Sequence, residues 1–258
     1  MYTIDLSGRH ALVMGVANHR SLSWAIAQHL HQAGATLCLT YQGERLKSLV
    51  EDLAKPLGNV ELIECDVTND AQIDAVARTL GERWGAIEML VHGIAFARKE
   101  DLESAFVATP REGFQLALEI SAYSLLNVTN RMLPLLEKNG ASIVSLTYLA
   151  AERAVPSYNV MGSAKAVLEQ ATRQLAYELG PKNIRVNAIS AGPVSTLAAR
   201  GIHGFTDMLK KHAEKAPLKR NITKDEVGKA GLFLLSDMAS GITGEVTMVD
   251  AGYSIMAW

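Results

Sequence analysis

The chain has little of what marks several large protein classes. It holds only two cysteines, Cys38 and Cys65. They lack metal-ligand spacing and are too few for a disulfide framework. Both lie within apolar, strand-like runs, where they read as small buried hydrophobes in a reducing compartment. Neither sign of charge dominates, since 25 Lys and Arg face 27 Asp and Glu for a net charge of -2. With no dense basic block, the field that attracts nucleic acid is missing. No apolar run approaches the roughly 20 residues needed to span a bilayer, and Met1–His10 lacks the basic-then-apolar layout of a signal peptide. The expectation is a soluble, cytoplasmic protein with no nucleic-acid partner, no membrane partner and no metal. A Pro/Gly/Ser-rich linker, an internal repeat and a low-complexity stretch are also missing, so the chain reads as one domain.

What is present is an alternation. In 258 residues, 48% of them hydrophobic, short apolar runs alternate with longer amphipathic ones. The predicted strands are His10–Gly15, Thr36–Tyr41, Glu61–Asp66, Glu88–His92, Ser142–Thr147, Arg185–Ser190 and Glu245–Asp250. Several are apolar at successive positions, which suits strands of a parallel sheet covered on both faces. Helices are predicted near 22–33, 44–55, 70–84, 112–137, 158–180 and 224–236. Repeated strand-helix units of this kind build a doubly wound sheet with right-handed crossovers. The stretch Thr196–Pro217 is too long for a simple connection. It carries Gly201 and Gly204 as possible hinges and Leu197, Ile202, Phe205, Met208 and Leu209 as apolar side chains. A lid over a pocket is one reading; an excursion that caps the core or makes a subunit contact is the other.

Chemistry concentrates at the ends of the strands. After the first comes Gly15-Val-Ala-Asn-His-Arg-Ser21-Leu22. Gly15 permits a tight turn, and Ser21 can cap the following helix, whose N-terminus would receive a pyrophosphate. The full Gly-x-Gly-x-x-Gly fingerprint is not there. The second strand ends at Tyr41-Gln42-Gly43-Glu44-Arg45. An acid at this place binds the adenosine ribose and an arginine favours a 2′-phosphate; with neutral Gln42 at the strand tip, the pattern leans toward NADH over NADPH. Asp66, before Val67, can accept from an adenine amino group or cap the next helix. Gly93, Ile94 and the small residues after them allow a flat ligand to approach the backbone. His92 lies in an apolar run and reads as a structural histidine. Near the sixth strand, Asn187-Ala-Ile-Ser-Ala-Gly-Pro193-Val-Ser-Thr196 offers Val194 and Thr196 to a carboxamide.

The most informative pattern is Tyr158-Asn-Val-Met-Gly-Ser-Ala-Lys165, with Tyr148 ten residues upstream. Seven residues are two helical turns, so the phenol and ammonium lie about 20° apart on one face. A phenol can donate to a developing oxyanion, and a lysine can bind ribose hydroxyls and add positive charge.

Together, the loop after the first strand, Asp66-Val67, Asn187–Pro193 and Gly241-Ile-Thr-Gly-Glu-Val resemble the short-chain dehydrogenase/reductase superfamily. Most of its members use Tyr-x-x-x-Lys, but here Met161 stands four residues before Lys165 and the tyrosine one turn earlier. With Ser121-Ala-Tyr-Ser124, Leu146-Thr-Tyr-Leu149 and Ala191-Gly-Pro-Val-Ser-Thr-Leu-Ala198, the displaced pair resembles the bacterial enoyl-acyl carrier protein reductases of type II fatty acid synthesis over essentially the whole chain. The resemblance implies a single Rossmann-like α/β domain with a mainly seven-stranded parallel sheet. It implies a homotetramer that reduces the C2=C3 bond of a trans-2-enoyl thioester, carried by acyl carrier protein, with NADH.

By the same resemblance, Tyr158 hydrogen-bonds the thioester oxygen, Lys165 holds the nicotinamide ribose, and Tyr148 lines the acyl pocket. Gly15, Ser21, Leu22, Gln42, Asp66, Val67, Gly93, Ile94, Val194 and Thr196 would hold the cofactor. Phe96, Ala97, Met161, Pro193, Ala198, Ile202, Phe205 and Met208 would form an apolar acyl slot under the lid at 196–217. The chain departs from the pattern at Gly93, where Ser or Cys is frequent, and at Ser195, where Arg is frequent. The lid also departs, with His203, Thr206 and Asp207 in place of more basic residues; Arg200, Lys210 and Lys211 are the nearby cations. Two other readings compete. A carbonyl reductase would need its tyrosine where Met161 stands, and a catalytically silent dinucleotide-binding regulator would be expected to have lost Tyr158 or Lys165.

Overall fold

The computed structural model describes residues 3–196 and 204–257. Each predicted apolar run becomes a strand: β1 (His10–Met14), β2 (Thr36–Tyr41), β3 (Glu61–Glu64), β4 (Met89–His92), β5 (Ala141–Thr147), β6 (Ile184–Ala191) and β7 (Val246–Val249). They form one sheet in the order β3-β2-β1-β4-β5-β6-β7, and every neighbouring pair is parallel. The side-chain period of two is visible in β1, where Ala11 and Val13 enter one core cluster and Leu12 and Met14 the other. Burial on both faces is why the run is continuously apolar rather than alternating.

Helices α1 (Leu22–Gln32), α2 (Glu44–Ala54) and α3 (Asp70–Arg83) follow the first three strands. After β4 come the short α4 (Lys99–Glu103), then α5 (Arg111–Leu118) and α6 (Ser124–Leu136). After β5 and β6 come α7 (Asn159–Leu179), α8 (Phe205–Lys215) and α9 (Lys224–Leu235). Trp24, Ile26 and Leu30 of α1, Val50 of α2, and Val227 and Leu234 of α9 pack on one face of the sheet. Ile73, Val76 and Leu80 of α3, Leu125, Val128 and Met132 of α6, and Leu168 of α7 pack on the other. Fully burying a side chain of this size contributes roughly 1.5–3 kcal/mol, so these two layers hold the sheet. Among the described residues, no helix is long and apolar enough to cross a membrane.

One helical expectation needs correction, and one further segment holds a helix. The stretch 112–137 is not one regular α-helix, because a π turn at Glu119–Tyr123 separates α5 from α6. One extra residue per turn leaves no trace in hydrophobic periodicity, and such turns gather at functional sites. The segment read as a hinged insertion contains α8, which Gly204 starts from the left-handed region at φ +72°. Phe205, Met208, Leu209 and His212 recur at helical spacing on its inner side, while Lys210 and Lys211 are exposed. The possible hinge at Gly201 and the side chains of Leu197, Ala198, Ile202 and His203 lie outside the described residues.

Candidate active site

The strand order reverses between β1 and β4, and a crevice opens there at the carboxyl ends of the strands. Two glycines shape its floor. Gly15 has φ +88°, and a β-carbon on it would lie 2.1 Å from the carbonyl oxygen of Gly93. A β-carbon on Gly93 would in turn lie 1.9 Å from Ser23 Oγ. Only bare backbone fits between these turns.

Above the floor is a cavity of about 460 Å³ lined by Gly15, Ser21, Leu22, Gln42, Asp66, Val67, Gly93, Ile94 and Thr196. These nine were all expected around a dinucleotide, and Val16, Ala17, Ser23, Thr40 and Cys65 join them. Ser21 precedes α1, but its side chain does not cap the helix. Its Oγ turns back and accepts from the amides of Ala17 and Asn18 at 3.0 and 3.2 Å, holding the turn after β1. Asp66 does not cap α3 either, since Asn69 does that by accepting from Ala71 and Gln72. One Asp66 oxygen accepts from Gln42 Nε2 at 2.8 Å, and the other from the amide and hydroxyl of Thr68 at 2.9 and 2.7 Å. Burial pushes this carboxyl up, but those bonds outweigh it and hold the pKa below its ordinary value. Neither Glu44 nor Arg45 reaches the cavity wall, whereas Thr40, Tyr41 and Gln42 do. The thiols of Cys38 and Cys65 are free, and burial raises both pKa values, that of Cys65 to about 12.

A second cavity, of about 410 Å³, adjoins the first through the shared Leu22, Ala95, Phe96 and Thr196. Its wall includes Phe96, Ala97, Tyr148, Tyr158, Met161, Pro193, Phe205 and Met208, so eight expected acyl-slot residues come together. Ala198 and Ile202 lie outside the described residues. Val194, expected on the cofactor, lines this second cavity instead. Sequence reasoning passed over Thr147, Lys99 and Leu102, which also line it.

The two tyrosine rings stand 4.9 Å apart, tilted by 51°. Tyr158 is the residue before α7 rather than in it, while Tyr148 follows β5 and its hydroxyl donates to Met208 Sδ at 3.5 Å. Burial raises both phenol pKa values, that of Tyr148 to about 12. Both are therefore protonated donors at neutral pH. The π turn has a use here. It presents Ser121, whose Oγ accepts from the Phe96 amide at 3.0 Å and lies 3.7 Å from Met161 Sδ. That hydroxyl fixes two wall residues at once.

Lys165, on the second turn of α7, is buried, and its Nζ donates to the Leu146 carbonyl at 2.7 Å. Burial lowers its pKa to about 8, against the opposing charge of Glu169. His92 behaves as a core residue. Its Nε2 lies 2.8 Å from Ser124 Oγ, which itself donates to the Ile120 carbonyl, so the imidazole supplies the proton of the first bond. Burial lowers its pKa to about 3.

The glycine floor, the cavity at the strand reversal and the apolar cavity with Tyr148 and Tyr158 adjoin, whereas Lys165, expected at the cofactor, lines neither cavity; similarity to known proteins fits this arrangement. The family model of enoyl-(acyl carrier protein) reductase matches residues 15–254. The chain belongs to that family. It is 48% identical over 256 residues to the NADH-dependent enoyl-[acyl-carrier-protein] reductase FabI of Synechocystis, covering 98% of this chain and 99% of that one. A Bacillus cereus enoyl-acyl carrier protein reductase with NADP+ and an indole naphthyridinone superposes with TM-score 0.96 at 47% identity over 100% of both chains. The Anaplasma phagocytophilum enzyme in complex with NAD superposes with TM-score 0.95 at 42% identity, over 100% of this chain and 98% of that one.

Proposed function

We propose that this protein reduces the C2=C3 double bond of trans-2-enoyl thioesters on acyl carrier protein with NADH, the last step of the elongation cycle in type II fatty acid synthesis. The observation that carries the reading is the junction of the two cavities. An apolar slot, with two protonated phenols in its wall, opens directly into a crevice whose glycine floor suits a dinucleotide.

Gly15, Ser21, Leu22, Gly93, Ile94 and Thr196 would hold the cofactor's phosphates and nicotinamide half, with Gln42, Asp66 and Val67 around the adenosine. When bound, NADH would supply the hydride that C3 accepts, and the resulting enolate takes its C2 proton from solvent. The remaining chemistry belongs to the side chains. As charge moves onto the thioester oxygen, the Tyr158 hydroxyl donates to it; removing one such donor typically costs roughly 3–4 kcal/mol of barrier. Lys165 holds the nicotinamide ribose and places a cation near the developing charge. Tyr148 braces the acyl chain and the Tyr158 ring. The tyrosine stands one turn earlier than in carbonyl reductases because the charged oxygen of an enolate is three bonds from the carbon that accepts hydride. In a ketone that oxygen is attached directly. Phe96, Ala97, Met161, Pro193, Phe205 and Met208 exclude water from the slot.

Residues 196–217 serve as the lid, with α8 presenting Phe205 and Met208 to the chain. The protein works in the cytoplasm as a homotetramer. Exposed apolar residues on α5–α6 and α7, among them Phe114, Leu126, Val167 and Tyr177, supply the faces that helices would bury across a two-fold axis. The experiment is NADH oxidation by the purified protein with a trans-2-enoyl thioester, NADPH being run in parallel. Turnover with NADH is expected; tight NADH binding without turnover would favour the silent regulator.

A further inference from the structure

Glu169 lies on α7 one turn beyond Lys165 and is 3% exposed. A carboxylate at that depth is unfavourable unless partnered. Thr147 Oγ1 donates to its Oε1 at 2.8 Å, and Arg173 stands 3.6 Å from its Oε2. The same helix sends Lys165 Nζ to the Leu146 carbonyl at 2.7 Å. The last two residues of β5 are therefore tied to α7. Lys165 holds Leu146, Glu169 holds Thr147, and Tyr148 comes next, with its ring against Tyr158. Thr147 and Tyr148 both line the apolar cavity.

We propose that Glu169 is a positioning residue that fixes Thr147, and through it Tyr148, against the acyl cavity while keeping the neighbouring Lys165 ammonium charged. This rests on the roles proposed above for Lys165 and Tyr148. The groups facing the pair are few. On α7 itself they are Lys165 and Arg173; Glu152 approaches from the turn after β5, and neutral His92 faces Lys165 from β4. Burial pushes the Glu169 carboxyl up, and the Thr147 bond, Arg173 and Lys165 pull it back. Burial pulls Lys165 down to about 8, and the Glu169 charge opposes it. If that charge is lost, Lys165 gives up its proton at lower pH.

The test is Glu169→Gln, whose amide oxygen still accepts from Thr147, so shape is kept and charge removed. Two quantities are followed from about pH 6 to pH 10, a span that covers a lysine titrating near 8: kcat/KM for an enoyl thioester, and NADH affinity by fluorescence. The alkaline limb of both is expected to move to lower pH by at least about half a unit, with affinity near that of the parent at the acidic end. A limb that stays in place overturns the proposal, because a merely structural carboxylate would leave it there. Should the parent protein fail to turn over the thioester, the reductase reading falls, and the pH dependence of NADH affinity alone decides the role of Glu169. If Glu169→Gln does not fold, Glu169→Asp carries the test. It keeps the charge but is one methylene too short for Thr147, so the limb should stay while kcat/KM falls about tenfold or more. A moved limb or undiminished kcat/KM would overturn the proposal.

Discussion

The hydroxyl of Ser23 fills the volume that a side chain on Gly93 would need, since a β-carbon there would lie 1.9 Å from Ser23 Oγ. Ser23 is buried in the first turn of α1, and its hydroxyl has no hydrogen-bond partner among the described residues. The two positions are one packing decision. Gly93→Ala should cost roughly 1–3 kcal/mol in urea unfolding, and Ser23→Ala in the same chain should recover more than half of it. Additive losses in the double variant would show that the collision is relieved elsewhere.

Tyr158→Phe removes a donor and keeps the ring that packs on Tyr148. We expect kcat on an enoyl thioester to fall about 100- to 1,000-fold, consistent with the loss of one oxyanion donor, while NADH affinity stays unchanged. Steady-state kinetics alongside fluorescence titration separates the two. A fall in affinity of the same size would assign the phenol to cofactor binding instead.

Gln42, just after β2, lines the cavity at the strand reversal, and it is already bonded to Asp66. A neutral amide beside a carboxylate offers nothing to a 2′-phosphate. Gln42→Arg should shift the kcat/KM ratio toward NADPH by about tenfold or more. An unchanged ratio would place cofactor discrimination elsewhere in the crevice.

His92 makes stability depend on pH. Its folded pKa is about 3, whereas an unfolded imidazole titrates near 6.5. Between those values the unfolded chain takes up a proton that the native one does not. The contribution of neutral His92 is complete above about pH 6.5 and declines by about 1.4 kcal/mol per pH unit as pH falls toward 3. Unfolding free energies at two acidic pH values, compared with those of His92→Gln, should show a flatter slope in the variant. Parallel slopes would mean that protonation is accommodated in the folded state.

Much of this was legible in the chain, for identifiable reasons. Strands buried on both faces leave continuous apolar runs, so β1, β2 and β4 to β6 could be placed within a residue or two. Gly15 and Gly93 follow strands that meet at the reversal of strand order, which made the crevice readable. The displaced Tyr158 is a spacing signal that no single residue carries.

What escaped depends on three-dimensional detail. The Ser21 side chain turns toward Ala17 and Asn18 rather than into α1, and a serine before a helix does not declare which way its hydroxyl points. Ser121 works only because a π turn rotates it between Phe96 and Met161. Glu169 lies at an ordinary i+4 spacing from Lys165, and its importance comes from Thr147 on another element. Val194, expected at the cofactor, lines the second cavity beside Pro193.

Hydride is expected at C3, three bonds from the thioester oxygen that Tyr158 is proposed to hold. NADH carrying deuterium at the transferable position of its nicotinamide ring tests it directly, with a trans-2-enoyl thioester and the matching 3-ketoacyl thioester offered together. A saturated acyl product with deuterium at C3 and an untouched ketone are expected. Deuterium on the carbinol carbon of a 3-hydroxyacyl product, with the enoyl thioester left intact, would contradict it.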